Sequence, residues 1–105
     1  MNTYLIRRRS NWADAAALEK TAGVSTRVGN EEMPHQVRWI RSYVVAEDDG
    51  RLGTACIYQA VDEAAIRKHA RRVGMSADEI TRIDATLVVR DDPVADAQDT
   101  ASHVA

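Results

Sequence analysis

Phenylalanine is absent from the sequence, proline occurs twice, and cysteine occurs once, at Cys56. A single cysteine excludes an internal disulfide and a cysteine-based zinc site within one chain. A lone thiol also suits a reducing compartment. The aromatic residues are Trp12, Trp39, Tyr4, Tyr43 and Tyr58 alone. That is too few for the stacking platforms of single-strand nucleic-acid binders. The formal net charge is -2, so there is no general basic field for nucleic acid. No stretch approaches the roughly 20 apolar residues that a membrane span needs. The first apolar run is short, and Arg7-Arg8-Arg9 follows it rather than precedes it, unlike a secretory signal. The expectation is a cytoplasmic protein with neither nucleic-acid nor membrane partners. The glycines stand apart from one another, so no phosphate-cradling loop is present.

What remains is an ordinary soluble composition, 45% hydrophobic and 29% charged over 105 residues, which predicts one domain. A domain this small buries only about 60–70% of its unfolded surface, a limit that pairing with a second copy relieves. Thr3 to Arg8 reads as a strand, and Ser10 or Asn11 offers a helix N-cap. The alanine-rich stretch from Ala13 to about Val28 is helical, with Ala15, Leu18, Ala22 and Ser25 on one face. Val37 to Ala46 and Leu52 to Gln59 are strands joined by the turn Glu47-Asp-Asp-Gly-Arg. Asp62 caps a second helix, Glu63 to Val73, and Gly74 stops it. Glu79 to Arg90 reads as the last strand. From Asp91 the composition turns to Asp, Ala, Ser and Thr, which predicts a disordered tail over 91–105 after a domain spanning 1–90. The order βαββαβ predicts an α+β ferredoxin-like fold: an antiparallel four-stranded sheet with two helices on one face.

Strand alternation sorts the side chains into two faces. The more aliphatic sets, Ile40, Ser42 and Val44 with Ala55, Ile57 and Gln59, are expected beneath the helices, together with Leu5, Ile83, Ala85 and Leu87. The other face then carries Trp39, Arg41, Tyr43, Cys56, Tyr58, Tyr4, Ile6 and Asp84. Such a face is too apolar to leave in water. Sheet-on-sheet packing in a homodimer is the simplest cover, and a ligand pocket on the same face is the alternative. His69 falls beside the buried stripe of the second helix, Ile66, Ala70 and Val73. That position, near Gln59 and Ser42, suits hydrogen bonding or metal ligation; one histidine alone is more often a satisfied core residue. Ser42 with His69 lacks the strained turn of a serine nucleophile. His35 lies in a loop and His103 in the tail.

Three segments carry a family resemblance: Val37-Arg-Trp-Ile-Arg-Ser-Tyr-Val44, Ala55-Cys-Ile-Tyr-Gln-Ala60, and Ala65-Ile-Arg-Lys-His-Ala-Arg-Arg-Val-Gly-Met-Ser-Ala-Asp-Glu-Ile80. Together they resemble a family of small bacterial proteins catalogued as a domain of unknown function, some of whose members are described as nickel-binding. The resemblance runs from about Tyr4 to Val89. It implies a ferredoxin-like homodimer and nickel as the candidate metal, with His69 the matching ligand and Gln59 beside it. It implies no reaction. The family usually has Glu where this chain has Gln59, and a neutral amide carbonyl is a poorer ligand for a hard divalent ion. After Gly74 an aromatic and a proline usually follow, where this chain has Met75-Ser76.

Three functions of different class follow. The first is a small metal-binding protein, with nickel as the metal. The second is a dimeric α+β-barrel enzyme or small-molecule binder, haem being one example, by analogy of fold. The third is a non-catalytic interaction subunit in which His69 is structural. The residues favour binding over catalysis.

Overall fold

A computed structural model describes residues 1–77 and 79–93. Seven elements follow one another: β1 (Asn2–Trp12), α1 (Ala15–Arg27), a short π-helical turn (Val28–Glu32), β2 (Val37–Ala46), β3 (Leu52–Ala60), α2 (Glu63–Val73) and β4 (Glu79–Ile83). The strands form one antiparallel sheet in the order β2-β3-β1-β4. This is the ferredoxin-like arrangement that the element order predicts. No helix among the described residues is long and apolar enough to cross a membrane.

α2 forms where its signals place it. The Asp62 carboxylate accepts from the Ala65 amide at 2.8 Å, which supplies a partner for one orphan donor of the first turn. Gly74, at φ 88, ends the helix in the left-handed conformation, where glycine carries no Cβ penalty. The β2–β3 turn closes through Glu47 and Arg51, with Gly50 at φ 83. α1 departs from expectation at its start. β1 runs on to Trp12 through an irregularity between Arg8 and Trp12, with Ser10 at φ 52. The cap is therefore Asp14, which accepts from the Ala17 amide at 2.9 Å, and not Ser10 or Asn11.

β4 is shorter than Glu79 to Arg90. Ile83 already pairs with Thr3, and β1 begins at Asn2, so no partner strand continues beyond that point. Leu87, Val88 and Val89 are consequently 90%, 69% and 78% exposed. The chain then returns across the sheet. Asp92 accepts hydrogen bonds from Arg41 Nη1 at 2.9 Å and from the Tyr43 hydroxyl at 2.8 Å. Those residues belong to β2, the opposite edge from β4, so the segment spans three strand spacings, about 14 Å. The beginning of the expected tail is thus in contact with the domain. Its remainder, 94–105, lies outside the described residues.

The expected assignment of the sheet faces is reversed in β1, β3 and the first half of β2. Ser42 and Val44, opposite the buried Cys56 and Thr54, keep the expected helix side, and Arg41 and Tyr43 lie opposite Ile57 and Ala55 on the other. Tyr4, Ile6, Cys56 and Tyr58 form the core with Ile66 and Ala70 of α2, while Ile40 is 43% exposed. Two features produce this mixed outcome. β2 carries a bulge between Trp39 and Arg41, so Trp39 lies opposite Tyr58 and Ser42 opposite Cys56. The bulge moves the second half of the strand one residue out of simple alternation. In β1, the burial of Tyr4, Ile6 and Arg8 rather than Leu5 and Arg7 sets the parity of both neighbouring strands through their pairing. Leu5 and Ile57, partners across β1 and β3, lie half-buried on the face without helices.

Candidate binding cleft

Four of the thirteen residues of α1 are alanine, and Ser25 is its one buried residue. Short side chains do not fill the space between this helix and the edge strand β2. A cleft of about 1200 Å³ opens there. Its helix wall includes Leu18, Ala22 and Ser25, and its sheet wall includes Trp39, Ile40, Ser42, Cys56 and Tyr58. Trp12 and Met75 also line it, and Arg41 and Tyr43 contribute from the edge strand. Trp39, Ile40, Tyr43 and Val44 are all exposed. A contiguous exposed apolar surface of this kind marks a place where something binds.

The floor is polar and connected. Ser42 Oγ accepts from Trp39 Nε1 at 2.8 Å and donates to Cys56 Sγ at 3.0 Å. The Cys56 thiol donates to Thr54 Oγ1 at 3.2 Å. The Tyr58 hydroxyl and Ser25 Oγ lie 3.1 Å apart, and the Tyr58 ring stacks on Trp39 with centroids 6.1 Å apart. Burial pushes the Tyr58 hydroxyl up to about 12, against the opposing pull of Ser25 and Arg8. It therefore remains a neutral hydroxyl at neutral pH.

Arg8 is the unusual member. It is 1% exposed. Nε donates to the Ser76 carbonyl at 2.6 Å and Nη1 to Cys56 Sγ at 3.4 Å. Nη2 is buried with no hydrogen-bond partner. A buried charge ordinarily has an opposite charge beside it, and no carboxylate forms an ion pair with Arg8 among the described residues. The neighbouring Arg7, in contrast, is paired with Glu47 at 2.9 Å.

His69 lies deeper, tilted against Tyr58 with centroids 5.6 Å apart. Its Nε2 is 3.2 Å from the Ser25 carbonyl oxygen. A carbonyl only accepts, so Nε2 carries the proton. Nδ1 is then a buried lone pair without a partner. Burial depresses the imidazole pKa; the Ser25 bond opposes this and the charge of Arg8 adds to it.

The expected pair of metal ligands does not come together. Gln59 alternates with Tyr58 along β3, and its side chain takes a hydrogen bond from Arg38 at 3.2 Å. His69 faces the other side of the sheet, against Tyr58. Among the described residues no group of three or more His, Cys, Asp or Glu could hold a metal ion. A divalent ion at Nδ1 would also feel the Arg8 charge with no carboxylate to offset it. The described interior residues around His69 therefore do not fit nickel. Trp39, Arg41, Tyr43, Cys56 and Tyr58, expected as a pocket or dimer face, all line the cleft. Arg8 and Trp12 were not singled out as site residues by the sequence, and Ser25 only as part of the buried face of the first helix. The signal for Arg8 is that it shares the parity of Tyr4 and Ile6.

Comparison with known proteins adds a family. The model of the SCO4226-like nickel responsive proteins matches residues 4–83. The chain belongs to this family. Among solved structures, it is similar to SCO4226 from Streptomyces coelicolor A3(2), with a TM-score of 0.65 and 16% identity. The match covers 81% of this chain and 99% of that one; at such identity it speaks for the fold alone. No curated protein matches.

Proposed function

We propose that the protein is a non-catalytic binding protein, a homodimer, whose cleft between α1 and β2 holds a small organic ligand. The observation that carries the reading is the cleft itself. An alanine-rich helix stands off an edge strand that leaves Trp39, Ile40 and Tyr43 exposed. Ligand sites are concave, mostly apolar and furnished with a few convergent polar groups. Ser25, Ser42 and Tyr58 supply such groups here. The hydroxyls are engaged with one another, with Trp39 or with Cys56. None donates to His69, whose Nε2 is taken by the Ser25 carbonyl, which supports binding over reaction. The free, buried Cys56 supports a reducing, cytoplasmic setting.

Titration with phenylnaphthylamine, a neutral dye that brightens in apolar surroundings, tests the cleft. The wild-type protein should bind it, and Ala22→Trp, which fills the cleft from the helix side, should weaken binding by roughly tenfold or more. Equal binding by both proteins refutes the reading. The homodimer rests on Leu87-Val88-Val89, an exposed apolar run that one copy does not cover. Sedimentation should show a dimer that Val89→Asp dissociates; a monomeric wild type would end the idea.

Nickel binding is a second reading, favoured by the family match over 4–83. On this reading the metal is held outside the interior, because His69 lacks companion ligands. Calorimetry of untagged protein should give the same nickel affinity for wild type and His69→Gln. Loss of binding in that variant would place the metal at His69 and contradict the argument from Arg8.

A further inference from the structure

We infer that the cleft's ligand is an organic monoanion, a carboxylate or sulfonate on an apolar body, with its acidic group received by Arg8. The inference rests on the cleft reading above and names the class of molecule. Arg8 lines the cleft and is 1% exposed. Its two acceptors are the Ser76 carbonyl oxygen and Cys56 Sγ, and neither is a carboxylate. Nη2 has no partner. Among the described residues the cation thus has no carboxylate beside it, the usual companion of a buried charge.

The geometry selects among ligands. Nε and Nη1 are already committed, so Arg8 is held in place before any ligand arrives. The guanidinium fork suits a carboxylate or sulfonate oxygen with directed N–H donors. Arg41, the other cation lining the cleft, is bound to Asp92 at 2.9 Å, and Glu19 also lines the cleft. One uncommitted cation fits one negative charge, and a polyanion would meet Glu19. The remaining walls, Trp39 and Leu18 among them, are apolar and receive the body of the molecule. Nη2 is closed to solvent, so the anion must displace a lining side chain. The unbranched Met75 is of the adaptable kind that yields.

Two dyes with one skeleton separate the charge from the cleft. Anilinonaphthalene sulfonate is phenylnaphthylamine with a sulfonate added. The wild-type chain should prefer the sulfonate by roughly tenfold or more, the size of a hydrogen bond to a charged group. Arg8→Met should abolish that preference, so that the variant binds the two dyes with nearly equal affinity. A preference that survives Arg8→Met, or equal losses of both dyes, overturns the anion assignment. Retention of both dyes by Ala22→Trp overturns the cleft itself, so the two failures are distinct. Should Arg8→Met fail to fold, competition on the wild type decides: naphthoate should displace the sulfonate dye where naphthamide does not. Equal displacement by the two overturns the inference.

Discussion

Acid should destabilise the fold through one identifiable residue. His69 is buried, donates from Nε2 to the Ser25 carbonyl, and leaves Nδ1 without a partner. Burial and the charge of Arg8 both hold its folded pKa below the ordinary 6.5. The groups around the ring are Ser25 of α1, Tyr58 of β3 and Arg8 of β1, and none of them welcomes a proton on Nδ1. Below pH 6.5 the unfolded chain binds a proton that the folded chain refuses. Stability is therefore complete above the unfolded value and falls as the pH drops from there toward the folded value. The slope reaches about 1.4 kcal/mol per pH unit while the folded ring stays neutral. From about pH 7.5 to about pH 5 the largest loss from this one group is about 2 kcal/mol. Glu47, Asp49 and Glu79, whose pKa values are held down by Arg7, the Arg51 amide and Arg9 respectively, titrate below this window. Urea unfolding of wild type and His69→Gln at several pH values, followed by tryptophan fluorescence, isolates the contribution. The glutamine can still donate to Ser25, and His35 is common to both proteins. The wild-type curve should fall away from that of the variant as the pH drops through 6.5. Parallel curves across the window would refute the neutral, partnerless assignment of the ring.

Two further perturbations test the packing. Ile66 is 1% exposed at the contact of α2 with the sheet, so Ile66→Ala should lower unfolding stability by about 2–5 kcal/mol with an unchanged urea slope; a loss below about 1 kcal/mol would mean that α2 packs more loosely than the structure shows. A Cβ on Gly53 would collide with the Glu47 carboxylate and the Arg8 carbonyl oxygen, so Gly53→Ala should cost about 1–3 kcal/mol by overpacking and loosen the Arg7–Glu47 pair, a loss readable in the same urea experiment.

Where the chain writes its structure into local chemistry, the sequence was enough. Asp62 and Gly74 bracket α2 because one side chain answers an orphan amide and one residue tolerates φ 88. Asp49 and Gly50 turn the hairpin because the Asp49 carboxylate accepts from the Arg51 amide at 2.9 Å and Gly50 supplies a positive φ. The sheet faces were not legible, because they depend on an irregularity that leaves no clear mark. Nothing about Ile40 announces that it interrupts the pairing between Trp39 and Arg41, yet that one residue decides which half of β2 joins Tyr58. Aliphatic character also misled. The buried set mixes Tyr4, Ile6, Cys56 and Tyr58 with polar Arg8 and Thr54, and a ranking by hydrophobicity places Leu5 and Ile57 ahead of it. The candidate site was half legible. The aromatic lining of β2 and β3 stands out in the sequence, whereas Arg8, within a run of three arginines, looks like Arg7 and Arg9 beside it.

Alanine in α1 and arginine in β1 make sense together. A core selected for stability alone would set a bulkier aliphatic residue at Ala22 and an apolar one at position 8, since a well-packed hydrophobic replacement of a buried charge is often neutral or stabilising. This chain does neither. It leaves space beneath α1 and puts at the floor of that space a cation without a counter-charge among the described residues. Departures from local rules tend to gather at functional sites, where a bound molecule supplies what the fold omits. One occupant resolves both departures: an apolar body fills the volume and an acidic head partners the guanidinium. A metal ion resolves neither, because it would fill no volume and would add to the charge already there.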